Sequence, residues 1–212
     1  MNKNDKDSIL EMSKKQYFLN HLSKIMTFEE GDSSENPWVE GAPQKEKIEV
    51  VEYNPEWPSL FIKQKSRIQN ALGSVVISIN HVGSTAVPGL PAKPVIDIDL
   101  IVAHPENEQL YVPLLEELGY QLTIREPSWY QHRMLRLEQP RVNLHIFALD
   151  CPEHIRHILF RDWLVSHPED KELYQNVKKE ALISVDNVQS YNQNKQVVIR
   201  DIYNRILEFI SK

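Results

Sequence analysis

The sequence holds one cysteine, Cys151, in 212 residues. That excludes an intramolecular disulfide, and with it any zinc site built in one chain from four cysteines or from two cysteines and two histidines. Cys151 also has no evident base beside it, so a cysteine nucleophile is not expected. A lone thiol suits a reducing compartment, and MNKNDKDSIL lacks the apolar core of a secretory signal; the expected location is cytoplasmic. Positive charge is not in excess: Lys plus Arg is 24 against 30 for Asp plus Glu, a formal net charge of -6. Without a broad cationic surface, duplex nucleic acid is not an expected partner. A long apolar run is missing too. The stretch 68–92 carries no Asp, Glu, Lys or Arg, but Gly73, Gly83, Gly89, Pro88 and Pro91 interrupt it, whereas a bilayer span needs about 20 mainly apolar residues. No membrane partner is expected, and no internal repeat or low-complexity tract stands out.

What is present is ordinary globular composition, 41% hydrophobic and 25% charged, enough for one good core or one domain with an appendage. Ile9, Met12, Leu19, Leu22 and Met26 recur at roughly helical spacing, and Glu29 to Gln44 then loses all periodicity. Residues 1–45 therefore read as a helix and linker, and 46–212 as the main domain. Within that domain IEVVEY, SVVISINHV and PVIDIDLIV read as strands, with a helix after NPEWP and another over PENEQLYVPLLEELGY. HRMLRLEQ and RVNLHIFAL are expected to pair as a hairpin. Beyond Pro152 the signals are helical to the end, with Pro152 and Pro168 at helix starts. The expected fold is α/β (α+β), a mixed β-sheet flanked by helices with a helical C-terminal third.

Asp97-Ile98-Asp99 lies inside an otherwise apolar strand. Side chains alternate between faces, so the two carboxylates share one face about 7 Å apart while Ile96, Ile98 and Leu100 pack on the other. Two like charges on a partly buried strand need a compensating cation or an Arg, and Mg2+ bound with the phosphates of a substrate would supply it. The plain alternative is a solvated pair at a strand end. Gly83-Ser84-Thr85 closes the preceding strand; its glycine admits close backbone approach, and successive amides with a Ser hydroxyl suit an anion. Alone, such a sequence is an ordinary turn.

The two features together, Gly-Ser followed after Thr85–Ile96 by Asp-Ile-Asp, resemble the signature of the polymerase-β-like nucleotidyltransferase superfamily. More closely, HVGSTAVPGLPAKPVIDID with NLHIF, LFRDWLVSHPE and YNQNK resembles the GrpB family, from about Ile48 onward. The resemblance implies a nucleotidyltransferase fold in which Gly83 and Ser84 hold a nucleoside triphosphate and Asp97 and Asp99 hold Mg2+. The reaction would be in-line attack on the α-phosphate, with pyrophosphate leaving. Active superfamily members carry a third carboxylate on a later strand, where RVNLHIF offers His145; Asp150 is a poor substitute. His145 thus becomes the third catalytic candidate, as base or metal ligand. Alternatively the domain binds a nucleotide or phosphometabolite without transfer, or is a metal-dependent phosphohydrolase using the Asp pair with His81 and His145.

Thr85, Lys93, Arg133, Arg161 and Lys195 are the further candidates for phosphate contact, with Arg136 equally readable as a solvated strand residue. Asn143 shares a strand face with His145. His154 and His157, i and i+3 on a helix, read first as surface histidines. Trp57, Trp129 and Trp163 read as packing residues, with Trp129-Tyr130, placed in a loop, as the alternative platform for a base.

Overall fold

The computed structural model describes residues 16–41, 49–183 and 188–211. Among them five strands form one sheet: β1 (Ser78–Val82), β2 (Ile96–Val102), β3 (Gln121–Glu126), β4 (His132–Leu137) and β5 (Val142–Ala148), in the order β1-β2-β5-β4-β3. Only β2 and β5 run parallel; the other neighbours are antiparallel. The helices are α1 (16–26), α2 (Trp57–Leu72), α3 (Val112–Glu117), α4 (Pro152–Ser166), α5 (Pro168–Ile183) and α6 (Val188–Ser211). This is the mixed sheet with a helical C-terminal third that the sequence predicts, and β4 and β5 pair as the expected hairpin.

The period-two rule decides how the layers divide. Ile96, Ile98 and Leu100 of β2 join Leu144 and Ile146 of β5 in a core closed by Trp57, Ile68 and Leu72 of α2 and by Leu115 of α3. Each fully buried Leu or Ile there contributes roughly 1.5–3 kcal/mol of transfer free energy. The alternate residues of the same strands, among them Asp97, Asp99, Asn143 and His145, face the other way. On that side the C-terminal helices build a second core from Ile155, Leu159, Tyr174, Ile202 and Ile206.

The remaining differences from the sequence reading are local. IEVVEY forms no strand among its described residues: Ile48 lies outside them, and Val51 makes only an isolated bridge to Ala92. Pro91 beside Ala92, and Pro94 two residues on, offer no N–H to extend that pairing. SVVISINHV contributes a strand only from Ser78, because Gly73–Val75 closes α2 with a 3-10 turn. The helix expected over PENEQLYVPLLEELGY is broken: a 3-10 turn at Glu108–Leu110 precedes α3, which restarts with Pro113 in its first turn. β3 is an edge strand with no counterpart among the expected strands, although Leu122 and Ile124 alternate with Gln121, Thr123 and Arg125.

Of the N-terminal stripe, Ile9 and Met12 lie outside the described residues. Ile25 of α1 is buried in the C-terminal core, with Phe18, Leu19 and Leu22 packed beside it. Arg156 of α4, itself buried, donates to the carbonyls of Lys24, Ile25 and Thr27 and so caps the end of α1, and it pairs with Glu153. No helix among the described residues is long and apolar enough to cross a membrane.

Candidate functional site

Gly83 leaves β1 with φ of 69° and opens a short 3-10 turn, Ser84–Ala86. A Cβ there would lie 2.5 Å from Oδ2 of Asp97. Only glycine fits this position, for its positive φ and for the carboxylate packed against it. Beneath the turn, His81 Nε2 donates to Thr85 Oγ1 at 3.0 Å, and Thr85 in turn donates to the carbonyl of Val95 at 3.1 Å. Burial, with the Arg161 charge adding, pulls His81 down to about 4, so a neutral ring stacked on Phe61 braces the turn. His81 therefore does not face the ligand space as the sequence suggests.

Above the turn lies a cavity of about 290 Å³, lined from the sheet side by Ser84, Lys93, Asp97 and Asn143 and from the helices by Tyr174, Lys178 and Lys195. Lys178 Nζ lies 3.3 Å from Ser84 Oγ and also donates to the Pro91 carbonyl. Burial and the neighbouring Lys195 charge pull Lys178 down to about 7; burial and the Lys93 charge pull Lys195 down to about 8. Three ammonium groups crowd one small, partly dry space, the condition in which an anion is most strongly attracted. Burial lifts Asp97 to about 6, against the opposing hydrogen bond from Asn143 Nδ2 to Oδ1 at 2.9 Å.

Asp99 has the opposite surroundings. It is 0% exposed. Nδ1 of His154 donates to Oδ2 at 2.8 Å, and Nδ1 of His157 lies 3.1 Å from Oδ1 and 3.0 Å from Oδ2. Burial works against its charge, but the His157 charge and the two imidazole hydrogen bonds win and hold Asp99 below the usual carboxylate range. His157 is correspondingly raised despite burial, by Asp99 and then by Glu153, whose Oε1 lies 3.5 Å from Nε2. The first two turns of α4 thus place both histidines over Asp99 rather than in solvent.

His145 sits beside Asp99 in the β2–β5 register. Its Nδ1 lies 3.0 Å from Nε2 of His132, whose Nδ1 lies 2.7 Å from Glu126 Oε2. Burial, then the His132 charge, drive His145 down to about 3. Among the described residues no group of three or more His, Cys, Asp or Glu side chains is placed to hold a metal ion. Of the expected carboxylate pair, Asp97 lines the cavity, whereas Asp99 has both oxygens committed to imidazoles.

Of the predicted phosphate contacts, Gly83, Ser84, Thr85, Lys93 and Lys195 line the cavity. Arg133 and Arg161 do not. Arg133 is buried and donates to Glu108 and to the Gln131 carbonyl; Arg161 holds the His81 carbonyl at 2.8 Å and Asp162. Arg136 pairs with Glu138, and Asp150 accepts from Tyr17. Trp129 packs against His132 and Phe147 and donates to the Glu29 carbonyl, leaving no face set aside for a base. Lys178 and Tyr174 were not anticipated. Their signal is the i, i+4 spacing on α5, on the same buried face as Ala181.

Known proteins match this chain over the same region. It is 42% identical over 164 residues to a UPF0157 protein of Halalkalibacterium halodurans, spanning 77% of this chain and 84% of that protein. A UPF0157 protein of Streptomyces coelicolor is 35% identical over 167 residues, 78% of this chain and 87% of the relative. A dephospho-CoA kinase of Mycolicibacterium paratuberculosis is 30% identical, covering 74% of this chain and 46% of that enzyme. The crystal structure of the conserved protein GrpB from Enterococcus faecalis superposes with a TM-score of 0.67 at 29% identity, over 77% of this chain and all of that one. With the GrpB protein family model matching residues 47–205 as well, the chain belongs to the GrpB family.

Proposed function

We propose that this protein binds the phosphates of a nucleoside triphosphate in the cavity above Gly83, and that nucleotidyl transfer to a hydroxyl-bearing acceptor is the reaction the site is laid out for. One observation carries this reading: Ser84, Lys93, Lys178 and Lys195 converge on the same 290 Å³ space as Asp97. A triphosphate neutralises the crowded ammonium groups, and the Gly83 turn lets its oxygens approach main-chain amides. Magnesium enters as the companion of the phosphates, with Asp97 as its protein carboxylate. The polymerase-β-like arrangement of a Gly-Ser turn beside an Asp-x-Asp strand supports the same assignment.

A second reading, binding of a nucleotide or phosphometabolite without transfer, is favoured by Asp99. A two-carboxylate ion site needs that group, and two imidazoles hold it.

Calorimetry separates the possibilities. ATP and inorganic tripolyphosphate, each with and without Mg2+, should bind the wild type, and Lys178→Ala should weaken both. Mg2+ should strengthen binding in the wild type but not in Asp97→Ala. Equal affinity of wild type and Lys178→Ala overturns the phosphate assignment; equal Mg2+ dependence in Asp97→Ala overturns the metal role. Tight binding with no turnover across a panel of hydroxyl acceptors replaces transfer with the second reading, and turnover that releases orthophosphate but no pyrophosphate replaces it with phosphohydrolysis.

A further inference from the structure

The parallel register of β2 and β5 places Asp97 beside Asn143 and, two residues on along the same face, Asp99 beside His145. Asp97 and Asn143 line the lysine cavity. The Asp99–His145 rung therefore lies about 7 Å further along the same surface, roofed by the first two turns of α4. This spacing suits the two halves of a transfer site, phosphate on one rung and acceptor on the next.

Four imidazoles gather around the second rung, and their nitrogens are not equivalent. His157 has both nitrogens against carboxylates, Asp99 and Glu153, and so has no lone pair to offer. His132 is engaged at Nδ1 by Glu126 and at Nε2 by His145. His145 has only another imidazole as its orienting partner, and its ring lies 6.0 Å from the His157 ring, so a proton gained there meets a neighbouring positive charge. His154 differs. Its Nδ1 donates to a fully buried carboxylate, Asp99, at 2.8 Å. Nε2 has no partner among the described residues, and the side chain is 14% exposed, open to a ligand yet held in place. A carboxylate on Nδ1 fixes the tautomer with its lone pair on Nε2 and stabilises the imidazolium formed when that nitrogen takes a proton.

We infer that the Asp99–His154 pair is the acid–base group of the acceptor half of the site. Nε2 of His154 takes the proton of an acceptor hydroxyl as that oxygen bonds to the α-phosphorus. The bond from that phosphorus to the leaving pyrophosphate breaks, and pyrophosphate departs with the electron pair. Asp99 is then a positioning residue rather than a metal ligand, and His157 with Glu153 holds it. The inference rests on the phosphate reading of the lysine cavity.

Three measurements on the full chain test it. Tripolyphosphate calorimetry comes first: absence of binding sinks the cavity reading, and this inference with it. Diethyl pyrocarbonate footprinting at neutral pH then ranks the clustered histidines; His154 should be acylated first, and first reaction at His132, His145 or His157 overturns the assignment. Finally, pyrophosphate release from ATP, GTP, CTP and UTP is compared between wild type and His154→Gln, with water and glycerol as acceptors. Glutamine can still donate to Asp99, so the fold and tripolyphosphate affinity should persist while release falls at least about 100-fold. Undiminished release in His154→Gln, or none from the wild type with tripolyphosphate bound, overturns the acid–base role and leaves the cavity reading standing.

Discussion

Asp97 and Asp99 are the same residue type on the same face of one strand, and their surroundings drive them apart. Burial lifts Asp97 to about 6 at the edge of an open cavity, with a single amide hydrogen bond from Asn143. Asp99, more deeply enclosed, is held low because two imidazoles contribute hydrogen bonds and a charge. Depth alone therefore does not set the protonation of a carboxylate; the partners delivered to it do. The consequence is a division of labour in which one carboxylate faces a ligand and the other organises the protein.

The comparison breaks most sharply by neutralising each member. Asp99→Asn leaves the buried His157 cation without its counter-charge and should cost about 3–5 kcal/mol, whereas Asp97→Asn should change stability by less than about 1 kcal/mol; denaturant titration of both gives the contrast. Losses of similar size in the two would refute it.

On the cavity side the next largest effect belongs to Lys178. Removing its ammonium should weaken tripolyphosphate by roughly 10- to 100-fold, the equivalent of about 1.5–3 kcal/mol for a hydrogen bond to a charged group. Because Lys178 and Lys195 titrate at about 7 and about 8, a bound polyanion raises both and binding takes up protons. Calorimetry in buffers of different ionisation heat should show that uptake above neutral pH, and affinity should fall as pH rises through the same range.

A smaller effect is expected at the junction of the two regions. Gly83→Ala forces a methyl into Asp97 at positive φ and should cost about 1–3 kcal/mol, while also displacing the turn that approaches the phosphates. A pH slope in stability is expected as well. The folded Lys178 is depressed from 10.5 to about 7, so between these values the unfolded chain binds a proton that the folded chain has released. Stability should accordingly rise with pH across that window. In Lys178→Met the rise should flatten, and an unchanged slope would assign it elsewhere.

The cavity's sheet side was legible in the sequence because it is local. Gly83, Ser84, Lys93 and Asp97 lie within one strand–turn–strand passage, and period two alone puts Asp97 and Asp99 on a common face. The helical side was not, since nothing within α5 says which of its faces meets a turn 94 positions away, as Lys178 does at Ser84. The two arginines that lie away from the cavity illustrate the same point: Arg133 finds Glu108, 25 positions distant, and no local pattern announces that ion pair. His154 and His157 were visible as an i, i+3 pair, but their target, Asp99, is fixed by how α4 crosses the sheet.

Arg156 ties the leading segment of the polypeptide to this chemistry. The family match begins at residue 47, yet the carbonyls of residues 24, 25 and 27 satisfy a guanidinium whose other arm grips Glu153, the neighbour of His157. Trimming the chain to the portion that the family model matches would strand a buried cation. The disturbance would reach Asp99 through two intermediaries, so a minimal version of this protein is a different protein at its centre.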